Sequence, residues 1–127
     1  MDLNTLSGEI ISASIFVHKN LGPGLLESVY ESCLTYELRD RGFKVETQIV
    51  VPVVYRGMIF GDGFRADMLV NEEVVVELKS VENLKPVHKK QVLTYLKLMD
   101  KRLGLLINFG EVLLKDGVYR VVNQYKD

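Results

Sequence analysis

The run Val74-Val75-Val76-Glu77-Leu78-Lys79-Ser80 is apolar except at two alternate positions, where a carboxylate and an amine emerge from one face. It reads as a central strand, and charged groups in such surroundings are expensive to bury without partners. The chain must therefore supply both a sheet around this strand and groups that answer its charges.

The nearest candidate for a neighbouring strand is Phe64 to Val70, joined to Val74 by the short polar connection Asn71-Glu72-Glu73, which suits a hairpin. With a three-residue loop Val70 pairs with Val74, and Asp67 stands opposite Glu77 with Cβ atoms about 5 Å apart. Two facing carboxylates repel unless a cation or a shared proton lies between them. Hard oxygen donors suit Mg²⁺ or Mn²⁺, which Asp67, Glu77 and the main-chain carbonyl of Leu78 could hold together with water. Lys79, on the same face as Glu77, could orient a water, help deprotonate it, or stabilise charge on a phosphate. The bland alternative is a surface hairpin whose acids pair with Lys79; the apolar neighbours make a solvated face less credible.

Elsewhere the apolar periodicity predicts two helices before any strand. The first covers Leu3 to Lys19, with Leu6, Ile10, Ala13 and Val17 on one stripe that Ile11 and Ile15 widen, and it stops at Leu21-Gly22-Pro23-Gly24. The second runs to about Arg41, with Leu26, Val29, Tyr30, Leu34 and Leu38 on its apolar side and Gly42 past its end. A long alternating strand then covers Val45 to Tyr55, where Pro52 indicates an edge or a bulge, and Arg56-Gly57 turns into Met58-Ile59-Phe60. Pro86 suits the first turn of a helix ending near Met99, with Val87, Val92, Leu93, Leu96 and Leu98 as its apolar contacts. Leu103 to Phe109 reads as a strand covered on both faces, and Val118 to Val122 follows the Lys115-Asp116-Gly117 turn. The order α-α-β-β-β-α-β-β gives an α/β fold, a mixed β-sheet flanked by helices, in a single domain spanning 1–127.

Several helix residues could complete a site around the acids. Glu27 falls in the first turn of the second helix, where an acid complements the helix dipole, and shares a side with Tyr30. His88, Gln91 and Tyr95 form a polar stripe on the third helix, with Lys89 and Lys90 beside it. Taken singly, each is more often a cap, a surface group or a core residue. The stretch Lys85, His88, Lys89, Lys90, Lys97, Lys101 and Arg102 is basic, and a solvated helix face explains it as well as a binding patch does.

A net charge of -1 argues against a protein held on nucleic acid by bulk positive charge, so any such contact must be local. The single cysteine, Cys33, excludes an intrachain disulfide and a thiolate metal cluster and reads as a small core or helix residue. The apolar runs are far shorter than the ~20 residues that span a bilayer, and the N-terminus has no leader pattern, so the expected location is cytoplasmic, away from membranes.

Gly24-Leu25-Leu26-Glu27-Ser28-Val29-Tyr30 matches the motif that names the GxxExxY proteins. Arg65-Ala66-Asp67, Glu77-Leu78-Lys79, His88 to Leu96 and Gly104 to Phe109 extend the resemblance over nearly the whole chain, from Leu6 to Asn123. Those proteins are placed in the PD-(D/E)XK nuclease superfamily, which implies a restriction-endonuclease-like core and Mg²⁺-dependent cutting of phosphodiester bonds. Carried over by residue, the resemblance makes Asp67 and Glu77 metal ligands, Lys79 the catalytic lysine and Glu27 an additional helix-borne acid, which could join the metal shell. Gln91 and Tyr95 are similar to the Gln-x-x-x-Tyr element of the recombination-exonuclease branch, and His88 and Tyr30 fall among the groups that would bind substrate or support the site.

Two functions follow from this sequence. One is a metal-dependent nuclease acting on nucleic acid, DNA before RNA, with a homodimer contact or a partner protein supplying the targeting. The other is an inactive nucleic-acid or protein interaction module that keeps the nuclease fold.

Overall fold

The computed structural model describes residues 1–124; the remaining three positions of the expected 1–127 domain lie outside the described residues. Its elements are α1 (Leu3–Leu21), α2 (Glu27–Asp40), β1 (Val45–Tyr55), β2 (Met58–Val70), β3 (Val74–Lys79), α3 (Pro86–Met99), β4 (Leu103–Asn108), a 3₁₀ turn (Leu114–Gly117) and β5 (Val118–Val122). The five strands lie side by side in chain order, so β3 is central, as its apolar sequence requires. Pairing is antiparallel except between β3 and β4, where α3 makes the crossover that a parallel pair needs.

Helices cover both faces. Leu6, Ile10, Ala13 and Val17 of α1 and Tyr30, Leu34 and Leu38 of α2 pack on Val74, Val76 and Leu78 of β3, while Val92 and Leu96 of α3 pack on Val75 and Leu106. Cys33 is a free, half-buried thiol on α2 against the larger cluster. Some expected apolar contacts face water instead: Leu26 precedes α2 and is exposed, as are Val29, Val87 and Leu98. These stripes are narrower than the sequence suggested because each helix touches the sheet along only one line.

A second correction concerns Met58-Ile59-Phe60 and Phe64 to Val70, which form one continuous strand rather than separate runs. Arg56 and Gly57 both have positive φ, the requirement of a tight two-residue hairpin turn. The strand then stays paired with β1 past a register shift between Val51 and Val53, so Pro52 marks both an edge strand and a bulge. Gly63 permits this close approach, since a Cβ there would lie 2.7 Å from the Val51 carbonyl oxygen.

Candidate active site

The expected hairpin register is present: Val70 pairs with Val74, Leu69 with Val75 and Met68 with Val76. Extended by one residue it sets Asp67 against Glu77, and here main-chain pairing gives way to side chains. Glu77 Oε1 accepts a hydrogen bond from the Asp67 N–H at 2.9 Å, and Asp67 Oδ2 accepts one from the Leu78 N–H, also at 2.9 Å. The two acids thus satisfy the main-chain donors where β2 and β3 part. In an extended strand a residue's N–H and C=O point to the same side, so the Leu78 carbonyl opens toward this gap as well.

Glu77 is only 7% exposed. Burial first, and then the Asp67 anion, push its carboxyl up to about 8, a shift that the positive charge of Lys79 opposes. Near neutral pH this favours the protonated form of Glu77. Lys79 is half-buried two residues along the strand from Glu77. A divalent cation would provide positive charge beside buried Glu77 and half-buried Asp67, whose oxygen donors are of the hard type that Mg²⁺ and Mn²⁺ prefer. Among the described residues no group of three or more His, Cys, Asp or Glu side chains could hold a metal, so such an ion would rest on Asp67, Glu77, main-chain oxygen and water.

Tyr95 of α3 lies near enough to the acids to feel their charge. Its ring stacks on Phe64 with centroids 4.0 Å apart and planes within 7°. Burial, followed by the negative charges of Glu77 and Asp67, raises its phenol above the ordinary range. Gln91, one turn earlier, is exposed. His88 has a structural task, since its Nδ1 accepts the Lys85 N–H at 3.1 Å and closes a capping box at the start of α3. In the basic stretch, Lys89 lies 3.8 Å above the Tyr119 ring.

The glycine-rich loop before α2 is braced from both sides. Tyr30 is fully buried, stacks on Phe109 at 4.4 Å, donates its hydroxyl to the Gly22 carbonyl at 2.5 Å and accepts the Leu25 N–H at 3.1 Å. Ser80 Oγ donates to the Leu25 carbonyl at 2.6 Å, tying the loop to the residue that follows Lys79. Tyr30 is thus a buttress, out of reach of a substrate. Glu27, two residues beyond Leu25, opens α2 and is exposed, and among the described residues no hydrogen bond or ion pair joins it to Asp67 or Glu77.

The acid of α2 that does reach the pair is Glu31, one turn further on. Its Oε1 accepts Gln48 Nε2 at 2.6 Å, and the same nitrogen lies 3.5 Å from Asp67 Oδ1. Burial raises the Glu31 carboxyl, the Gln48 hydrogen bond lowers it, and the Asp67 charge raises it again, with a net upward shift. Gln48 has φ of 51° in the middle of a strand, a left-handed conformation costing roughly 1–3 kcal/mol. At this point the hairpin changes sides: Val45 and Met68 pack with α1 and α2, whereas Ile49 and Ala66 pack with α3. Sequence reasoning missed both residues. The spacing of Glu31 from Glu27 was a readable signal, whereas the position of Gln48 depends on the bulge.

A further brace holds the loop after β3. The fully buried Asn108 accepts the Val81 and Gly110 N–H groups, each at 3.0 Å, and donates to the Val81 carbonyl at 2.9 Å. Gly110 allows that contact, because a Cβ would sit 2.1 Å from the same carbonyl oxygen. Strand, acids and loop are thus fixed from several directions before any ligand arrives.

A sequence profile of the PD-(D/E)XK nuclease superfamily matches residues 4–121, a span that contains every residue of this site. The chain belongs to the PD-(D/E)XK nuclease superfamily. Comparisons with curated proteins and with solved structures gave no match. The mixed sheet flanked by helices is consistent with the superfamily's restriction-endonuclease-like core, and membership supports nuclease-type chemistry in general terms. Among the described residues no helix is long and apolar enough to cross a membrane.

Proposed function

We propose that this PD-(D/E)XK chain hydrolyses phosphodiester bonds with a divalent cation, Mg²⁺ or Mn²⁺, and that DNA is its substrate in preference to RNA. The observation carrying the proposal is the interlocked pair Asp67 and Glu77, where a buried carboxyl is raised to about 8 beside a second acid and Lys79. Such an arrangement is costly for folding alone and becomes favourable once a cation is bound. The resemblance of Gln91 and Tyr95 to the recombination-exonuclease element supports DNA as substrate.

Asp67 and Glu77 would hold the cation, with the Leu78 carbonyl as the adjoining main-chain oxygen. When bound, the cation would activate water and neutralise charge on the phosphate. Lys79 would place its ammonium against the phosphate oxygens as negative charge grows there, and could hold the attacking water through a hydrogen bond. Tyr95 would bound the site on the α3 side, with Gln91 at the exposed rim toward the substrate. The net reaction is attack of water on phosphorus with departure of the sugar oxygen. Glu27 is an outer acid on this reading, available to water or substrate at the loop.

The deciding experiment is a cleavage panel of single-stranded, duplex and branched DNA and RNA, with Mg²⁺ or Mn²⁺, on the wild type beside Glu77→Ala. Metal-dependent cutting of DNA that disappears in the variant is the expected result. No cleavage with either metal, together with a melting temperature indifferent to both, would instead favour an interaction module.

A further inference from the structure

The Gln48 side chain contacts two acids through a single atom. Nε2 carries two hydrogens, and one is directed to Glu31 Oε1 at 2.6 Å while the other faces Asp67 Oδ1 at 3.5 Å. The opposite amide orientation would press its oxygen against two carboxylates, so the donor assignment follows from the surroundings. Asp67 Oδ2 is already fixed by the Leu78 N–H. With Gln48 as a longer donor contact at Oδ1, both carboxylate oxygens face a donor, which biases rotation about the Cβ–Cγ bond.

The backbone points the same way. Gln48 adopts φ of 51° although it is not glycine, and the strand pair keeps one register on either side of it, from Thr47 with Met68 to Ile49 with Ala66. No residue is inserted, so the left-handed turn does not repair a mismatch; its visible consequence is the change of side that brings the amide between α2 and Asp67.

We infer that Gln48 is a positioning residue for the metal-binding carboxylate of Asp67, and that Glu31 of α2 anchors it. The inference rests on the nuclease reading above. It assigns to Glu31 a part played through a neutral amide, distinct from the outer position of Glu27. A donor between two anions also keeps them from repelling each other before the cation arrives.

The test uses the full chain and Mn²⁺ alone as probe, reading the Mn²⁺-induced rise in melting temperature and the Mn²⁺ dependence of DNA cleavage. Gln48→Gly removes the whole side chain, amide included, while keeping a backbone suited to positive φ, so loss of the donor is read without added backbone strain. The expected result is Mn²⁺ affinity weakened about 10–100-fold, the range for loss of a group that orients a metal ligand, with a smaller loss in kcat at saturating Mn²⁺. Glu31→Gln should weaken Mn²⁺ binding less, and adding it to Gln48→Gly should bring no further loss, because both act along one path. Gln48→Met, similar in size but with neither the donor nor a new charge, should weaken Mn²⁺ binding about as much as Gln48→Gly. Wild-type affinity in Gln48→Gly, or losses that simply add, would overturn the inference while leaving the nuclease reading intact. A wild type that neither cuts nor responds to Mn²⁺ would overturn both.

Discussion

The two flanks of β3 differ sharply. Toward β4 the ladder is unbroken, with partners from Val74 and Leu103 through Lys79 and Asn108, and Asn108 extends it into the following loop. Toward β2 it stops at Met68 and Val76, and two carboxylates replace the main-chain partners. One flank uses its polar groups to hold the strand straight; on the other, side-chain oxygens of Asp67 and Glu77 answer the main-chain donors. An interrupted ladder in the middle of a sheet is tolerable because the opposite flank is complete.

The largest effect should come from the open flank. Asp67→Ala or Glu77→Ala is expected to lower metal-dependent cleavage on the order of a thousandfold or more, measured as single-turnover rates at saturating Mg²⁺. Full activity in either variant would remove the contrast between the flanks.

The next effect concerns pH and stability without metal. The Glu77 carboxyl is raised in the folded state to about 8, so the native protein holds a proton that the unfolded chain releases near the ordinary carboxylate range. This contribution is fully present below that ordinary range and is lost as pH rises through about 8, amounting to a few kcal/mol. Denaturant titrations at several pH values should show this decline, Glu77→Gln should flatten it, and Mg²⁺ should reduce it by stabilising the charged form.

On the closed flank, Asn108→Ala would strand two part-buried N–H groups and a carbonyl, costing about 2–3 kcal/mol in chemical denaturation. The remaining folded protein should keep its melting response to Mn²⁺. Loss of that response at a temperature where the variant is folded would show that the flanks are not separable.

The smallest change is Ser80→Ala, which removes one bond to the Leu25 carbonyl and should lower stability by about 1 kcal/mol, read from the melting curve. A drop in cleavage beyond that stability loss would show that the loop leading into Glu27 takes part in the open flank.

The register of β2 and β3 could be read from Asn71-Glu72-Glu73, because a short loop between alternating strands leaves little choice of partner. The same reasoning fails for β1. Counting back from the Arg56-Gly57 turn, where Tyr55 pairs with Met58, would set Gln48 opposite Arg65. The bulge around Pro52 moves it to Asp67, and no periodicity reports how many residues a bulge absorbs. The reversal of faces at Gln48 is hidden for a like reason, since a single left-handed residue leaves no alternation to count.

The sequence by itself determined the order of elements, the central place of β3 and the meeting of Asp67 with Glu77, because hydrophobic period and loop length act over a few residues. Tertiary structure alone decided that the ladder ends at that meeting, that Tyr30 and His88 brace the scaffold, and that Glu31 rather than Glu27 reaches the acids through Gln48. Those outcomes depend on how strands splay and on which turn of α2 passes the sheet. Both are settled by packing among residues distant in the chain.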